Sequence, residues 1–382
     1  IYFPKSFASP DIYIGAGANE LLFYPKLTVI QRIFSPQNLF TKISSSNNIP
    51  PTIPLNLIIQ MSTETLKYTP LYQEHIALNA RMVPFGGWEM PVQYAGILAE
   101  YEATRRHTAL FDISHMGEFR IQGDCGKSGL DRLVTQSLKD LSIGACRYGA
   151  MLNEEGGVLD DLIVFREAED QWFIVVNAAT TEKDARHIQG NLTKDAKFTD
   201  LSADLGKLDI QGPGSREILK KYIAEIDKLD YYRFDYFDVL GENVLVSRTG
   251  YTGELGYEIY YPWDKTVQLW RELLSNQDIQ PAGLGARDVL RLEVGYSLYG
   301  HELREDLSPL ESGLTRFIDF EKDFIGKPAL LQQQKEDSFR KIVGICSDTR
   351  RSPREGQKVF VDDKEVGVVT SGTFSPSLNL GI

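Results

Sequence analysis

Hydrophobic and polar residues follow regular periods along the chain from about Thr69 onward. Apolar positions spaced three and four residues apart predict helices, whereas alternating or continuous apolar runs predict strands. The predicted helices cover residues 70–79, 93–108, 126–138, 181–192, 215–226, 265–274 and 285–296. The predicted strands cover residues 117–122, 148–152, 158–165 and 172–176, and short strands and turns follow from residue 341. The order strand, helix, strands and helix between residues 117 and 192 favours an α+β fold with antiparallel sheets.

The predicted strand over residues 158–165 carries two adjacent carboxylates, Asp160 and Asp161, between apolar neighbours. Aspartate is uncommon in strands, and a buried carboxylate without partners is costly. Because adjacent residues of a strand point to opposite faces, only one of the two is expected to face a cavity. Two interpretations fit this pattern. Both carboxylates cap turn amides beside the predicted hairpin loop at 153–157, or one serves a pocket in proton transfer or ligand binding.

Two glycine-rich segments contain further candidate side chains. The segment RTGYTGELGYE (248–258) places Tyr251 at a turn and Glu258 on the following strand. This arrangement fits either a ligand site or an ordinary hairpin with a solvated glutamate. The segment GLGARD (283–288) lacks the third glycine of a dinucleotide-binding motif. Arg287, near a predicted helix N-terminus, could bind a carboxylate or could pair with Asp288.

Composition and charge narrow the function classes. The net charge of −12 argues against binding to nucleic acid or an anionic membrane surface, and no apolar run is long enough to span a membrane. The three cysteines form no C-x-x-C pair and the five histidines lack metal-ligand spacing, so no disulfide framework and no metal are predicted. Asp112, Ser114 and His115 are too close in sequence to converge as a catalytic triad, so His115 is predicted to be structural. The residues indicate a globular enzyme or binding protein with a pocket of carboxylates and aromatic rings.

The first 60 residues differ in composition from the rest of the chain. They hold four basic and two acidic residues, and no methionine occurs before Met61. The serine-rich, acid-poor run over 31–48 is typical of an organellar transit peptide, although translated upstream sequence without a role fits equally well. A transit peptide would direct the protein to the mitochondrial matrix of a eukaryote. Without one, a cytoplasmic location is expected.

Nine segments resemble the glycine cleavage system T protein, in the order of that family, from about residue 67 to the end. They are TPLYQEH (69–75), RMVPFGGWEMPVQY (81–94), LFDISHMGEF (110–119), NEEGGVLDDLIVF (153–165), VVNAATTEKD (175–184), IQGPGS (210–215), SRTGYTGELGYEI (247–259), PAGLGARDVLRLEVGYSLYG (281–300) and TSGTFSPSL (370–378). The resemblance implies an α+β, three-domain cloverleaf with antiparallel sheets around a folate channel. The implied parts are a non-globular leader (1–66), a discontinuous folate-binding domain (67–118 plus 212–306), a ferredoxin-like second domain (119–211) and an incomplete C-terminal β-barrel (307–382).

The resemblance also implies a reaction, a co-substrate and a partner. The family transfers the methylene of an aminomethyl group, carried on the dihydrolipoyl arm of the H protein, to tetrahydrofolate. The products are methylenetetrahydrofolate, ammonia and the reduced lipoyl protein. By its place in the motif, Asp161 matches the catalytic carboxylate, Glu258 the residue that binds the pterin N–H groups, and Arg287 a folate-contacting arginine. Positions that line the channel are matched by Tyr148, Asn177, Tyr231, Tyr251 and Tyr296.

The chain departs from the family pattern at two points. Pro84 stands where an aspartate is usual before F-x-G-W, with no evident catalytic consequence. The family arginine that contacts the folate tail would fall after Ile382, so this chain is expected to bind folate weakly.

Two alternatives involve related folds. Demethylating domains of dimethylglycine or sarcosine oxidation follow a long flavin domain, for which this chain has no room. Non-catalytic folate-binding relatives in iron–sulfur or RNA maintenance carry a cysteine in the segment that corresponds to 248–254, where this chain has none.

Overall fold

A computed structural model describes residues 65–336, 339–361 and 363–382, together with three short strands near the N-terminus. Those strands, β1 (Tyr13–Ala16), β2 (Asn19–Tyr24) and β3 (Thr28–Ile30), form an antiparallel sheet. The rest of the predicted leader up to residue 64, including the transit-like run over 31–48, lies outside the described residues. The chain divides into two compact units, residues 67–343 and residues 1–66 with 344–382. The finer division into three domains stays a prediction.

The larger unit combines strands and helices throughout its length. Its strands are β4 (Arg81–Phe85), β5 (Trp88–Gln93), β6 (Ala109–Asp112), β7 (Gly117–Gln122), β8 (Cys146–Leu152), β9 (Val158–Ala168), β10 (Gln171–Val176), β11 (Lys197–Asp200), β12 (Leu205–Gln211), β13 (Phe234–Val239), β14 (Glu242–Ser247), β15 (Gly256–Pro262) and β16 (Gln280–Ala282). Its helices are α1 (Tyr72–Ala77), α2 (Ile97–Arg106), α3 (Leu130–Leu133), α4 (Thr181–Asn191), α5 (Ser215–Leu219), α6 (Thr266–Leu274), α7 (Leu284–Glu293) and α8 (Lys327–Glu336).

Two sheets organise this unit. One has the strand order β13-β14-β15-β12-β6-β16 and is antiparallel except for the parallel pair of β16 with β6. The other is antiparallel, with the order β11-β7-β10-β9-β8. The predicted α+β fold with antiparallel sheets is therefore confirmed.

The two sheets meet through a cluster of aromatic and aliphatic side chains. Phe165 of β9 packs edge-to-face against Phe234 of β13 and Tyr260 of β15, and Phe173 of β10 also contacts Tyr260. These rings are buried, as is Leu245 of β14. Burial of so much apolar surface stabilises the contact and holds β9 and β15, which carry the candidate site residues, close to each other.

Two helices are shorter than the sequence pattern predicts. The helix expected over 126–138 is reduced to α3, because Gly129 adopts φ +84° before it and Val134 is already extended after it. There the chain turns to pair with β8, where Thr135 N–H donates to the Ala150 carbonyl. The helix expected over 215–226 is reduced to α5, which ends at Leu219. After it the chain continues in tight turns, mostly with hydrogen bonds between residues three apart.

The C-terminal residues form short strand pairs. Strand β17 (Lys358–Val361) pairs with β18 (Lys364–Val368), and β19 (Phe374–Ser375) pairs with β20 (Leu380–Gly381). The described strands do not close into a barrel. Across the described part of the chain, every helix is too short or too polar to cross a membrane.

Candidate active site

Strand β9 runs past the end of its neighbour β10, and the two adjacent aspartates lie on that overhang. The last β10 pair joins Val175 to Ile163, whereas β8 still pairs Ala150 with Asp161. Asn177, the first residue after β10, occupies the position beside the overhang. Asp160 is fully buried and Asp161 is half-buried. As the strand alternation predicts, the two carboxylates differ in environment, and only Asp161 is accessible.

Asp161 accepts hydrogen bonds from two neutral side chains. The Tyr148 hydroxyl donates to Oδ2 over 3.0 Å, and the Asn177 amide Nδ2 donates to Oδ1 over 2.8 Å. Desolvation, and to a smaller extent the neighbouring Asp160, raises the pKa of Asp161 to about 7. A carboxyl group with a pKa near neutrality can take up and release a proton at working pH.

Asp160 is held by groups that also touch Asp161. Asn177 donates its backbone N–H to Asp160 Oδ2 (3.0 Å) and its side-chain amide to Oδ1 (2.9 Å), and Thr180 Oγ1 donates to Oδ2 (2.9 Å). The interpretation that both carboxylates cap turn amides at the hairpin 153–157 is therefore wrong in its place, because the backbone amide that Asp160 binds is that of Asn177 after β10. Burial and the nearby carboxyl group of Asp184 raise its pKa well above the usual value.

Glu258 lies on β15, buried and close to a cation. Its Oε2 accepts a hydrogen bond from the Thr249 hydroxyl (2.6 Å), and its Oε1 lies 3.7 Å from Nζ of Lys207, which is itself buried. The Lys207 ammonium also lies 4.7 Å from the Tyr260 ring centroid. The alternative interpretation of Glu258 as a solvated hairpin residue is therefore wrong. Oε1 keeps capacity to accept a hydrogen bond.

A second carboxylate, Asp209 of β12, stands opposite Glu258 in the strand register. It pairs with Arg287, whose Nη1 lies 2.8 Å from Asp209 Oδ2. Asp288 instead pairs with Arg291, so the alternative ion pair between Arg287 and Asp288 is wrong. The Arg287 guanidinium also lies over the Tyr251 ring, 4.9 Å from its centroid.

Three tyrosines, Tyr251, Tyr296 and Tyr231, lie next to one another beside Arg287. Tyr251 and Tyr296 are stacked, with ring centroids 5.8 Å apart and an interplanar angle of 24°. Tyr231 is 60% exposed, and its hydroxyl lies beside that of Tyr296. Burial, and to a smaller extent the charge of Asp161, raises the pKa of Tyr251. Tyr251 therefore lies close enough to Asp161 for its pKa to respond to that charge.

The eight residues singled out by the sequence thus form two neighbouring groups. Asp161, Tyr148 and Asn177 are in direct contact. In the other group, Arg287 and Tyr296 contact the Tyr251 ring, and Tyr231 lies beside Tyr296. Glu258 of β15 joins this group because it stands opposite Asp209, the partner of Arg287. A carboxylate acceptor, a guanidinium and stacked rings fit a flat heterocycle with N–H donors and an anionic tail.

Sequence reasoning missed Lys207 and Asp209. Both lie in LGKLDIQ (205–211), an apolar strand with two inserted charges. The argument applied to Asp160 and Asp161 would have singled them out as well. Asp184 was also missed, because a carboxylate in the first turn of a helix is ordinary.

The remaining candidate, His115, is buried against Phe85 at 5.6 Å between ring centroids. Asp112 hydrogen-bonds His75 Nε2 over 2.9 Å, in agreement with the prediction that no Ser/His/Asp triad forms. Among the described residues, no group of three or more histidine, cysteine, aspartate or glutamate side chains is placed to hold a metal ion.

Comparison with known families identifies two matching regions. Residues 71–322 match the family model of the GCVT N-terminal domain, and residues 340–382 match that of the glycine cleavage T-protein C-terminal barrel domain. An aminomethyltransferase of Pseudothermotoga lettingae is 48% identical over 318 residues, which cover 82% of this chain and 88% of that protein. An aminomethyltransferase of Halothermothrix orenii is 43% identical over 322 residues, covering 83% and 90% of the two chains.

A solved structure is similar as well. The crystal structure of glycine cleavage system aminomethyltransferase T from Bartonella henselae has a TM-score of 0.76 and 32% identity, and covers 83% of this chain and 88% of that chain. These relatives are bacterial, so they give no support to the mitochondrial location or the transit peptide.

Proposed function

Because this chain belongs to the glycine cleavage T-protein family of aminomethyltransferases, we propose that it transfers the methylene of an aminomethyl group from the lipoyl arm of an H protein to tetrahydrofolate. Ammonia and the dihydrolipoyl protein are the other products. The observation that carries this proposal is Asp161, an accessible carboxyl group with a pKa of about 7 beside a tyrosine-lined, cationic region.

Asp161 acts as the proton acceptor in this proposal. Nitrogens N5 and N10 of tetrahydrofolate form bonds to the methylene carbon while its bonds to the amine nitrogen and the lipoyl sulfur break. The protons that the two nitrogens lose end on the ammonia and on the dihydrolipoyl thiol, and the first to be lost is the proton of the attacking N5. The ionised Asp161 side chain accepts that proton while Tyr148 and Asn177 hold its two oxygens in place. A pKa close to the working pH suits such a group, because it both accepts and releases protons.

The second group of residues binds the co-substrate. Glu258 accepts hydrogen bonds from the pterin N–H groups through Oε1, and Arg287 contacts the folate. Tyr251 and Tyr296 supply the stacking surface, and Tyr231 lies at its exposed edge. The protein partner is the lipoylated H protein, which the glycine cleavage reaction requires.

The test supplies aminomethylated H protein and tetrahydrofolate, and follows methylenetetrahydrofolate and ammonia. The wild type is expected to form both products. Asp161→Asn is expected to lower kcat about 10²- to 10⁴-fold, as loss of a general base typically does. Asp160→Asn is expected to retain much more activity, since Asp160 is fully buried.

Two outcomes would contradict this assignment. If Asp161→Asn keeps the full rate while Asp160→Asn loses it, the catalytic role belongs to Asp160. If the wild type binds folate but forms neither product, the non-catalytic, folate-binding alternative is favoured.

A further inference from the structure

Asp184 is a buried carboxylate that the proposed mechanism leaves unused. It lies in the first turn of α4 and is fully buried. In the described part of the chain, neither of its side-chain oxygens has a hydrogen-bond donor of its own. Its side chain is within hydrogen-bonding contact of Asp160, which is also fully buried.

The surrounding donors are already committed to other acceptors. Thr180 has one hydroxyl proton, and three acceptors share it: Asp160 Oδ2 (2.9 Å), the Asn177 carbonyl (3.0 Å) and the Asp184 side chain. The Lys183 ammonium, which interacts electrostatically with Asp184, binds the Leu159 carbonyl, the Tyr299 hydroxyl and Glu305. No ion pair with lysine or arginine involves Asp160, Asp161 or Asp184 within the described residues.

Two carboxyl groups in contact can hydrogen-bond only if one of them carries a proton. Two buried like charges without a cation would repel strongly, so retention of one proton is favoured. Position decides which group carries the proton. Asp160 lies between the other two carboxyl groups and interacts with both Asp184 and Asp161. It accepts three hydrogen bonds, but a charge on it would adjoin the charges of both neighbours, whereas a proton on it separates the two remaining charges. Because the N-terminal turn of α4 also stabilises a negative charge on Asp184, Asp160 carries the proton and donates it to Asp184.

We propose that Asp160 and Asp184 share one proton, and that this keeps Asp160 neutral so that the adjacent Asp161 is the carboxyl group that ionises during catalysis. Asp184 is therefore a positioning residue that acts on Asp161 through Asp160. The inference rests on the proposed function for its catalytic consequence, but the shared proton itself does not depend on it.

The amide of Asn177 connects the pair to Asp161. Its Nδ2 lies 2.9 Å from Asp160 Oδ1 and 2.8 Å from Asp161 Oδ1. A negative charge on Asp160 raises the pKa of Asp161, so a proton retained on Asp160 makes Asp161 easier to ionise. The other titratable groups that face these carboxyls are Lys183 of α4, Tyr148 of β8, and Tyr251 and Tyr299 of loops.

The test is a carbon NMR titration of the full chain labelled at the aspartate carboxyl carbon, for the wild type, Asp184→Asn and Asp160→Asn. In the wild type, one aspartate is expected to stay protonated at neutral pH while Asp161 and Asp209 titrate near 7. The Asp161 signal is the one that Asp161→Asn removes. In Asp184→Asn, the new amide donates to Asp160, which then ionises. The titration midpoint of Asp161 is expected to rise by about one unit, because of the like charge beside it.

Asp160→Asn provides the second test, since an asparagine has nearly the shape of a neutral aspartic acid. The protonated signal is expected to disappear, and the midpoint of Asp161 is expected not to rise. Glu182→Gln is the matched control, because Glu182 lies on the same helix in an exposed contact with Lys67. It should change neither signal.

The pH dependence of kcat gives the catalytic arm of the test. The acid limb of Asp184→Asn should move to higher pH together with the Asp161 signal. Absence of any protonated aspartate at neutral pH, or an unchanged Asp161 midpoint in Asp184→Asn, would overturn the shared proton. If the NMR results follow the expectation but no methylene is transferred, the pair stands and the proposed function fails.

Discussion

Two strands of the larger unit each place carboxylates among apolar residues, but they stabilise them differently. On β9, Asp160 and Asp161 are bound by neutral donors, namely Asn177, Tyr148 and Thr180. On the facing sheet, Glu258 of β15 lies next to the Lys207 ammonium. A buried carboxyl without a cation keeps its proton to higher pH, which suits proton transfer. A carboxylate beside a cation is a better fixed acceptor, which suits binding.

The largest expected effect concerns the carboxylate that lies next to a cation, Glu258. Lys207→Met leaves Glu258 buried without its cation, so the free energy of unfolding should fall by about 3–5 kcal/mol. Urea denaturation measures this loss. Lys228→Met is the control, because its ion pair with Glu225 is exposed and should contribute little. Equal losses in the two variants would show that Lys207 does not stabilise the buried carboxylate.

An intermediate effect is expected at Glu258 itself. Glu258→Gln keeps the shape of the side chain but loses the charge, so the Kd for tetrahydrofolate should rise about 10- to 100-fold, the value of a hydrogen bond to a charged group. Titration calorimetry measures this change. Glu242→Gln, in an exposed ion pair with Lys265, should leave the Kd unchanged. An unaltered Kd in Glu258→Gln would remove Glu258 from the binding site.

The smallest expected effect concerns Asp161, the carboxyl group that is bound by neutral donors. The Tyr148 hydroxyl stabilises the ionised form of Asp161, so Tyr148→Phe should raise the pKa of Asp161 above its value of about 7. The expected rise is about half a unit to one unit. Since the ionised form accepts the proton, activity is lost as pH falls through this pKa.

The acid limb of the kcat profile should therefore move to higher pH in Tyr148→Phe. Tyr236→Phe is the control, because that hydroxyl contacts Glu167 on another part of the surface. A limb that stays in place, or moves to lower pH, would show that the Tyr148 hydrogen bond does not favour ionisation of Asp161.

The sequence alone determined the family and the α+β class, and it predicted eight residues of the candidate site, although it missed Lys207, Asp209 and Asp184. Strand alternation, a local property, also predicted that only one of Asp160 and Asp161 would be accessible. Local patterns were less reliable at element ends, where Gly129 and the turn to β8 shortened a predicted helix.

Only the tertiary structure decided which charges meet. Arg287 pairs with Asp209 rather than with its neighbour Asp288, and Asp184 of α4 contacts Asp160 of β9. The physical reason is that hydrophobic periodicity describes each element separately, whereas the register between β12 and β15 and the docking of α4 depend on packing of residues distant in sequence. Whether a buried carboxylate has a cation or a proton as its partner is settled by those contacts.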